Sequence, residues 1–330
     1  MELELENWYK PSVDRKKLKE ISKRKDWPGL LHFFIYFASL FLWGYFAYLT
    51  WGTWWTVLWL FLYGSIHQFS VSNWHETVHR TAFKTRWVNE IFYYISCFMA
   101  DMEPFRWRWS HTFHHTNTLQ TKDYYDYEIQ VSRPTELIWF FLNFVPFSDF
   151  LYPSRLLKFE IIKHAFGNLT EVVKISAPDS QKRKIIWMSR MYVLIWLLII
   201  FFSIYYATIL PILFFIIPNN YGKPIWFTVN VSQHLGAAID TKDHRKSTYS
   251  VKINPILSFY YWHMEYHVEH HMFPMVPSYN LKKLQNLIKD QVPKPFSSLF
   301  AFYKEVLPVV IKQATNPDHY YQTDSSITKS

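Results

Sequence analysis

The chain has 330 residues, 50% of them apolar, 21% aromatic and only 18% charged, with one cysteine and a formal net charge of +9. That length and apolar content exclude a disordered chain. Cys97 alone excludes an internal disulfide or a thiolate cluster, so any metal must be bound by histidine or carboxylate. The mean hydropathy of −0.10 understates the apolar segments, because 23 Tyr and 16 Trp count as polar on that scale.

Residues 1–29 form a charged N-terminal segment. From Leu30 to His75, 46 residues, there is no Asp, Glu, Lys or Arg. One bilayer crossing takes about 20 apolar residues. Residues 30–71 are therefore expected to form a helical hairpin, Leu30–Leu49 and Thr53–Val71, turning at Thr50-Trp51-Gly52-Thr53. Residues 72–190 follow as a cap outside the bilayer. Within it, Ile91–Ala100 suits a re-entrant or buried helix, and Glu136–Val145 an interfacial one. Met191–Ile239 has Lys223 as its only charge in 49 residues. It is expected to form a second hairpin, broken near Ala207–Pro211 and irregular at Pro218-Asn219-Asn220. Residues 240–315 complete the cap, and 316–330 are a polar, frayed tail. The competing reading, two hairpins buried in a soluble core, fits poorly with such long uncharged runs.

Orientation follows the basic residues. Arg15, Lys16, Lys17, Lys19, Lys23, Arg24 and Lys25 precede the first hairpin, while Lys182, Arg183, Lys184 and Lys242, Arg245, Lys246 flank the second. Both termini and the cap are thus expected on the cytoplasmic side of a multi-pass protein, targeted by its first crossing. The positive charge then reads as a membrane-surface face. No basic–aromatic nucleic-acid motif and no glycine-rich phosphate loop is present.

Eight of the fifteen histidines fall in three clusters: His75-Glu76-Thr77-Val78-His79, His111-Thr112-Phe113-His114-His115 and His267-Val268-Glu269-His270-His271. On a helix, positions i, i+3 and i+4 share one face, so each cluster can turn its imidazoles toward one centre. All three lie on the expected cytoplasmic side, and His234, where the fourth crossing ends, can add a ninth nitrogen. Nine imidazoles suit two ions with four or five nitrogens each, and imidazole suits Fe, Cu and Zn. A carboxylate-rich di-iron bundle would need paired Glu-x-x-His motifs; only Glu76-Thr77-Val78-His79 has that spacing.

At these residues the chain resembles the membrane fatty acid desaturases and their di-iron hydroxylase relatives, the histidine-box membrane di-iron oxidases. The resemblance rests on His75–His79, on Trp107-x-x-x-His111-x-x-His114-His115, and on Tyr266-His267-Val268-Glu269-His270-His271-Met272-Phe273-Pro274-Met275-Val276-Pro277. It covers roughly Leu30 to Leu287. It implies an all-α integral membrane fold, with four transmembrane helices in two hairpins and a cytosolic helical cap holding a di-iron site. The implied ligands are His75, His79, His111, His114, His115, His234, His267, His270 and His271, with Gln233-His234 matching the extra ligand before the third box. The implied cofactors are two Fe ions, with O2 as co-substrate. The implied reaction is desaturation of a lipid or acyl substrate; hydroxylation of a lipid or smaller amphiphile is the alternative, since the same ligands serve both. No haem-binding His-Pro-Gly-Gly occurs, so a separate electron donor of ferredoxin or cytochrome b5 type is expected.

His75-Glu76-x-x-His79 also matches a zinc protease motif with Glu76 as general base. The extended form of that motif would need Gly and His where Ala82 and Thr85 stand. A non-catalytic metal carrier would place its histidines deeper in the crossings. His67, eight residues before His75, is either a tunnel residue or a hydrogen-bonded core histidine. Asp101, Glu103, Asp240, Asp243 and Glu265 are candidates to orient ligand imidazoles, with a solvated surface as the alternative for each. His263 lies near the third box. Arg80, Arg106 and Arg108 can pair with an acidic group of the substrate or sit at headgroups. His32, His164 and His319 belong to no constellation.

Overall fold

The computed structural model describes residues 8–122, 126, 132–134, 136–153 and 156–323. Helices dominate them, and pairing of extended segments is limited to two isolated bridges, Ser250–Tyr266 and Val251–Phe296. Helix α1 (Arg15–Ile21), capped by Asp14, leads into α2 (Asp26–Leu49). Asp26 accepts hydrogen bonds from the Thr85 backbone N–H and hydroxyl, both at 2.8 Å. That clamp starts α2 one turn before the expected Leu30 and ties it to the cap. The far turn falls at Thr50–Thr53, as expected, and Gly52 takes the left-handed conformation there (φ 85°).

The return helix departs from expectation. It is α3 (Trp54–Gln68), which ends at Phe69 and resumes as α4 (Ser70–Val78). The break has a cause in the side chains: Tyr36 donates its hydroxyl to the His67 carbonyl at 3.1 Å, and the Phe69 N–H bonds back to Ile66 rather than one residue further. The kink turns the first histidine box under the hairpin. The second hairpin begins with α7 (Asp179–Tyr205), after α5 (Arg86–Met99) and α6 (Pro104–Thr116) of the cap, and returns as α8 (Leu210–Phe215) and α9 (Pro218–Asn230). The return is divided because Pro218 has no N–H to give α8, and Pro224 sits inside α9.

Four continuous crossings are therefore not found. Among the described residues, two helices, Asp26–Leu49 and Asp179–Tyr205, are long and apolar enough to cross a membrane. At about 1.5 Å per residue, the 15 residues of α3 span only about 22 Å. The outward faces carry large apolar side chains: Phe34 is 71% exposed, Phe41 74%, Trp54 89% and Ile204 73%. A water-soluble monomer rarely shows so broad an apolar belt.

α3 and α9 cross at a pair of glycines. A Cβ on Gly222 would lie 1.9 Å from the carbonyl carbon and oxygen of Gly64, and one on Gly64 would lie 2.2 Å from the Tyr221 ring. Only residues without side chains let two backbones approach this closely. This crossing brings the end of the second hairpin against the start of the first histidine box.

In the cap, Ile91–Ala100 lies on α5 with Tyr93, Ser96 and Cys97 buried and Ile91 and Ile95 exposed, so it is a half-buried amphipathic helix. Glu136–Val145 contains the short helix Leu137–Leu142, with Phe140 buried and Ile138 outward. The tail is not frayed where it is described. Arg133 donates to the carbonyls of Pro317 and His319, and the Tyr321 N–H donates to Gly236 at 2.9 Å. Its residues 324–330 lie outside the described residues.

Candidate metal centre

Three short helices and one turn supply the imidazoles. His75 lies in the last turn of α4 and His79 caps it. His111, His114 and His115 share the last turns of α6, whose start is fixed by Pro104 and by Glu103 accepting from the N–H groups of Phe105 and Arg106. His267, His270 and His271 lie on α10 (His267–Met272), ended by the Phe273-Pro274 step. His234 follows a 3-10 turn at Val231–Gln233. Gly236, at φ 71°, then turns the chain away beneath Val306 of α11 (Leu299–Gln313).

All nine expected residues converge. The ligating atoms of His75, His79, His111, His115 and His270 lie within 4.8 Å of one another, and so do those of His114, His234 and His271. His267 closes the second group, with its Nε2 3.1 Å from Nε2 of both His234 and His271. In the first group, Nε2 of His111 is 2.9 Å from that of His79 and 3.1 Å from that of His115. The two groups abut: the His115 and His271 rings stack at 4.3 Å, and His75 lies 5.8 Å from His267.

The chemistry of these nitrogens tests the fit to metal. Neutral imidazole has one donor and one acceptor nitrogen, and an Nε2–Nε2 approach aims like atoms at one another. Bonds of about 2.1 Å at right angles around one ion would hold nitrogens about 3.0 Å apart, which matches the observed spacing. His270 is 1% exposed, and neither of its ring nitrogens has a hydrogen-bond partner among the described residues. A buried polar atom left so costs about 1–3 kcal/mol; a cation between the rings would remove that cost. The residues fit metal.

Three of the four outward nitrogens of the second group are anchored, and others in both groups are bare. Nδ1 of His114 is 2.7 Å from Asp126, whose Oδ2 also accepts from the Leu119 N–H. Nδ1 of His234 is 2.7 Å from the Ser247 carbonyl, and Nδ1 of His271 is 3.2 Å from the Thr118 hydroxyl. Among the described residues, the Nδ1 atoms of His75, His267 and His270 have no partner.

Burial holds the box imidazoles neutral, the form that binds metal. His79 is pushed down to about 3 by burial and by the charge His114 would carry. His75, His111, His115, His267, His270 and His271 are held well below the ordinary imidazole range, first by burial and then by their neighbouring imidazoles. Between about 6.5, the unfolded value, and the depressed folded values, the unfolded chain binds protons that the folded chain refuses. The imidazole contribution to the stability of the metal-free protein is therefore complete above about pH 6.5 and falls as pH is lowered toward 3. Buried Glu76, raised to about 8, acts in the opposite sense, its contribution being lost as pH rises through that value. Thermal unfolding in detergent after chelation should show a melting temperature that falls as pH is lowered from about 6 toward 3.

The remaining candidates have other partners. Asp101 pairs with Lys158 and accepts from Asn219; Glu103 is a helix cap; Asp240 accepts from the Thr121 N–H and hydroxyl; Asp243 pairs with Arg245; Glu265 accepts from Ser258. The imidazoles are oriented instead by Asp126, Thr118 and the Ser247 carbonyl. Nothing in the spacing singles out Asp126 from Asp123. Arg80 and Arg108 both pair with Glu90 at 2.9 Å, and Arg106 with Glu160 at 3.2 Å. His67 is a hydrogen-bonded core histidine, 3.0 Å from Asn219. His32 packs 3.8 Å from the Trp262 ring and bonds Asn73, His164 bonds Thr170, and His263 bonds Ser258. His244, outside any box, is buried 5.1 Å from the His271 ring and stacks on Trp8.

Glu76 faces away from the cage. Its carboxylate accepts from the Ser278 N–H at 3.2 Å, and burial raises it to about 8. A carboxylate tied there is not placed to activate water at the imidazoles, which removes the structural basis of the protease reading.

A helical chain with an apolar belt and a cage of imidazoles has the architecture of a membrane protein able to hold metal. The profile of the fatty acid desaturase family matches residues 50–303, and the chain belongs to that family. It is accordingly an oxidoreductase of the membrane desaturase–hydroxylase type. No curated protein sequence matches the chain significantly.

Proposed function

We propose that the chain is a multi-pass membrane di-iron oxidase that uses dioxygen and an external electron donor to desaturate an acyl-type substrate. The observation that carries this reading is the convergence of nine imidazoles into two adjoining groups, in which four Nε2–Nε2 pairs lie 2.9–3.1 Å apart. His75, His79, His111, His115 and His270 would hold one iron, and His114, His234, His267 and His271 the other. Bound there, the irons would supply dioxygen activation for breaking an unactivated C–H bond. The nitrogen-only donor set adds no negative charge to offset the metal.

The protein's own part is to exclude water, hold the rings and present the substrate. Asp126, Thr118 and the Ser247 carbonyl fix three imidazoles so that their Nε2 atoms face inward. Burial of His111, His114, His234, His267, His270 and His271 limits competing water over most of the cage. The kinked α3–α4 and divided α8–α9 complete two hairpins, giving four passes with both termini and the cap on the cytoplasmic side. The basic residues flanking each hairpin support that orientation, and ferredoxin or cytochrome b5-type donors can reach the cap from there. The chain divides as residues 30–71 and 191–239 in the bilayer and 72–190 and 240–315 in the cap.

Asp126→Asn should lower metal affinity of the second group by about 10- to 100-fold, read by competition with a chelator. The reaction itself is tested by mass spectrometry of lipids and small metabolites with and without expression. Products lacking two hydrogens mean desaturation, and products with one added oxygen mean hydroxylation. No change in either would count against the reading.

A further inference from the structure

Beside the cage lies a cavity of about 260 Å³, lined on one side by His75, His114, His234 and His267. Its remaining wall is largely apolar, with Val71, Met102, Leu157 and Met264 among its residues, but it also carries polar groups that a plain alkyl chain would leave unmatched. Four side-chain amides on it, Gln68, Asn220, Asn230 and Gln233, make no hydrogen bond among the described residues, and Gln68 Oε1 is fully buried without a partner. Two ion pairs share the same wall, Lys158 with Asp101 and Lys223 with Asp149, the second at 2.6 Å. Each of these four side chains keeps 9–19% of its surface exposed.

A hydrocarbon placed here would dehydrate all of these groups and return no hydrogen bond to any of them. The four charges sum to zero, so a polyanionic carrier would meet Asp101 and Asp149 as often as the lysines. A head with one cation and one anion can exchange partners with both pairs at once. We infer that this cavity receives the polar head of a zwitterionic amphiphile. Its ammonium faces Asp101 or Asp149, and its phosphate or carboxylate faces Lys158 or Lys223. The first methylenes of the tail then lie against Trp74 and Trp107, next to His75 and His114. The inference rests on the proposed function for what happens to those methylenes, but not for the binding itself.

The test uses the full-length protein purified in a maltoside detergent, titrated with dodecylphosphocholine, dodecyl sulfate and dodecyltrimethylammonium, and read by tryptophan fluorescence. The phosphocholine should bind at least about 10-fold more tightly than either singly charged probe. Lys158→Gln combined with Lys223→Gln should erase its advantage over the cation, and Asp101→Asn combined with Asp149→Asn its advantage over the anion. If these variants do not fold, the ranking on the unaltered protein decides. Equal binding of the three probes, or tightest binding of a singly charged one, overturns the inference. Iron content measured on the same sample separates the two readings. Two irons with the wrong ranking removes the head site and keeps the oxidase; the right ranking without iron does the reverse.

Discussion

His270→Ala is expected to abolish substrate oxidation, with a loss beyond about 100-fold, while the protein still inserts and folds. His270 is central to the first group, with its ring 4.7 Å from those of His75 and His79 and 4.9 Å from that of His115. It is also the imidazole that the fold itself uses least. Neither ring nitrogen bonds to another described residue, and Glu269 anchors the helix through Ser250 at 2.6 Å from the opposite face. Removing it therefore forfeits packing volume but no hydrogen bond of the apoprotein. A purely structural histidine would behave the other way, lowering the melting temperature with activity lost only in proportion. Iron per chain and residual turnover, measured on the same preparation, distinguish the two; retained turnover would contradict the assignment.

Gly222→Val should prevent stable folding. An added Cβ meets the Gly64 carbonyl at 1.9 Å, which is backbone and cannot rotate aside. Overpacking of this kind costs about 1–3 kcal/mol where side chains can shift, and more where two backbones must part. Separation of α3 from α9 would also pull His75 away from His234, because each stands just beyond one of the crossing helices. Size-exclusion profiles and melting temperature in detergent check this; a normal profile with full activity would show that the crossing is looser than the structure has it. Gly44 makes a useful control. A Cβ there meets the nearest atom, on the Tyr63 ring, at 3.4 Å, so Gly44→Ala should be nearly neutral.

What the sequence made legible follows from which signals are local. Charge-free runs mark the hairpins, and both turns fall where polar or glycine residues interrupt them. The breaks at Phe69 and before Pro218 differ in kind. Pro218 is visible in the sequence because a missing N–H is a property of one residue. The break at Phe69 depends on Tyr36 reaching across from the neighbouring helix to the His67 carbonyl, and no periodicity records that. The histidine boxes were legible because i, i+3 and i+4 spacing sets a common face. Their convergence was suggested by their number and their shared cytoplasmic side and sharpened by the resemblance, although it joins residues almost two hundred positions apart. The residues that hold the rings were missed. Asp126, Thr118 and a backbone carbonyl at Ser247 do this work, whereas Asp101, Asp240 and Glu265 sit near boxes in sequence and bond elsewhere. His244 stands alone in its segment, so no spacing marks it, although it is buried beside His271.

Metal analysis of the full-length protein, purified from iron-replete membranes without chelators, tests the two-group cage most directly. Two irons per chain are expected, falling when His270 or Asp126 is replaced. One tightly held zinc and no iron would contradict the account.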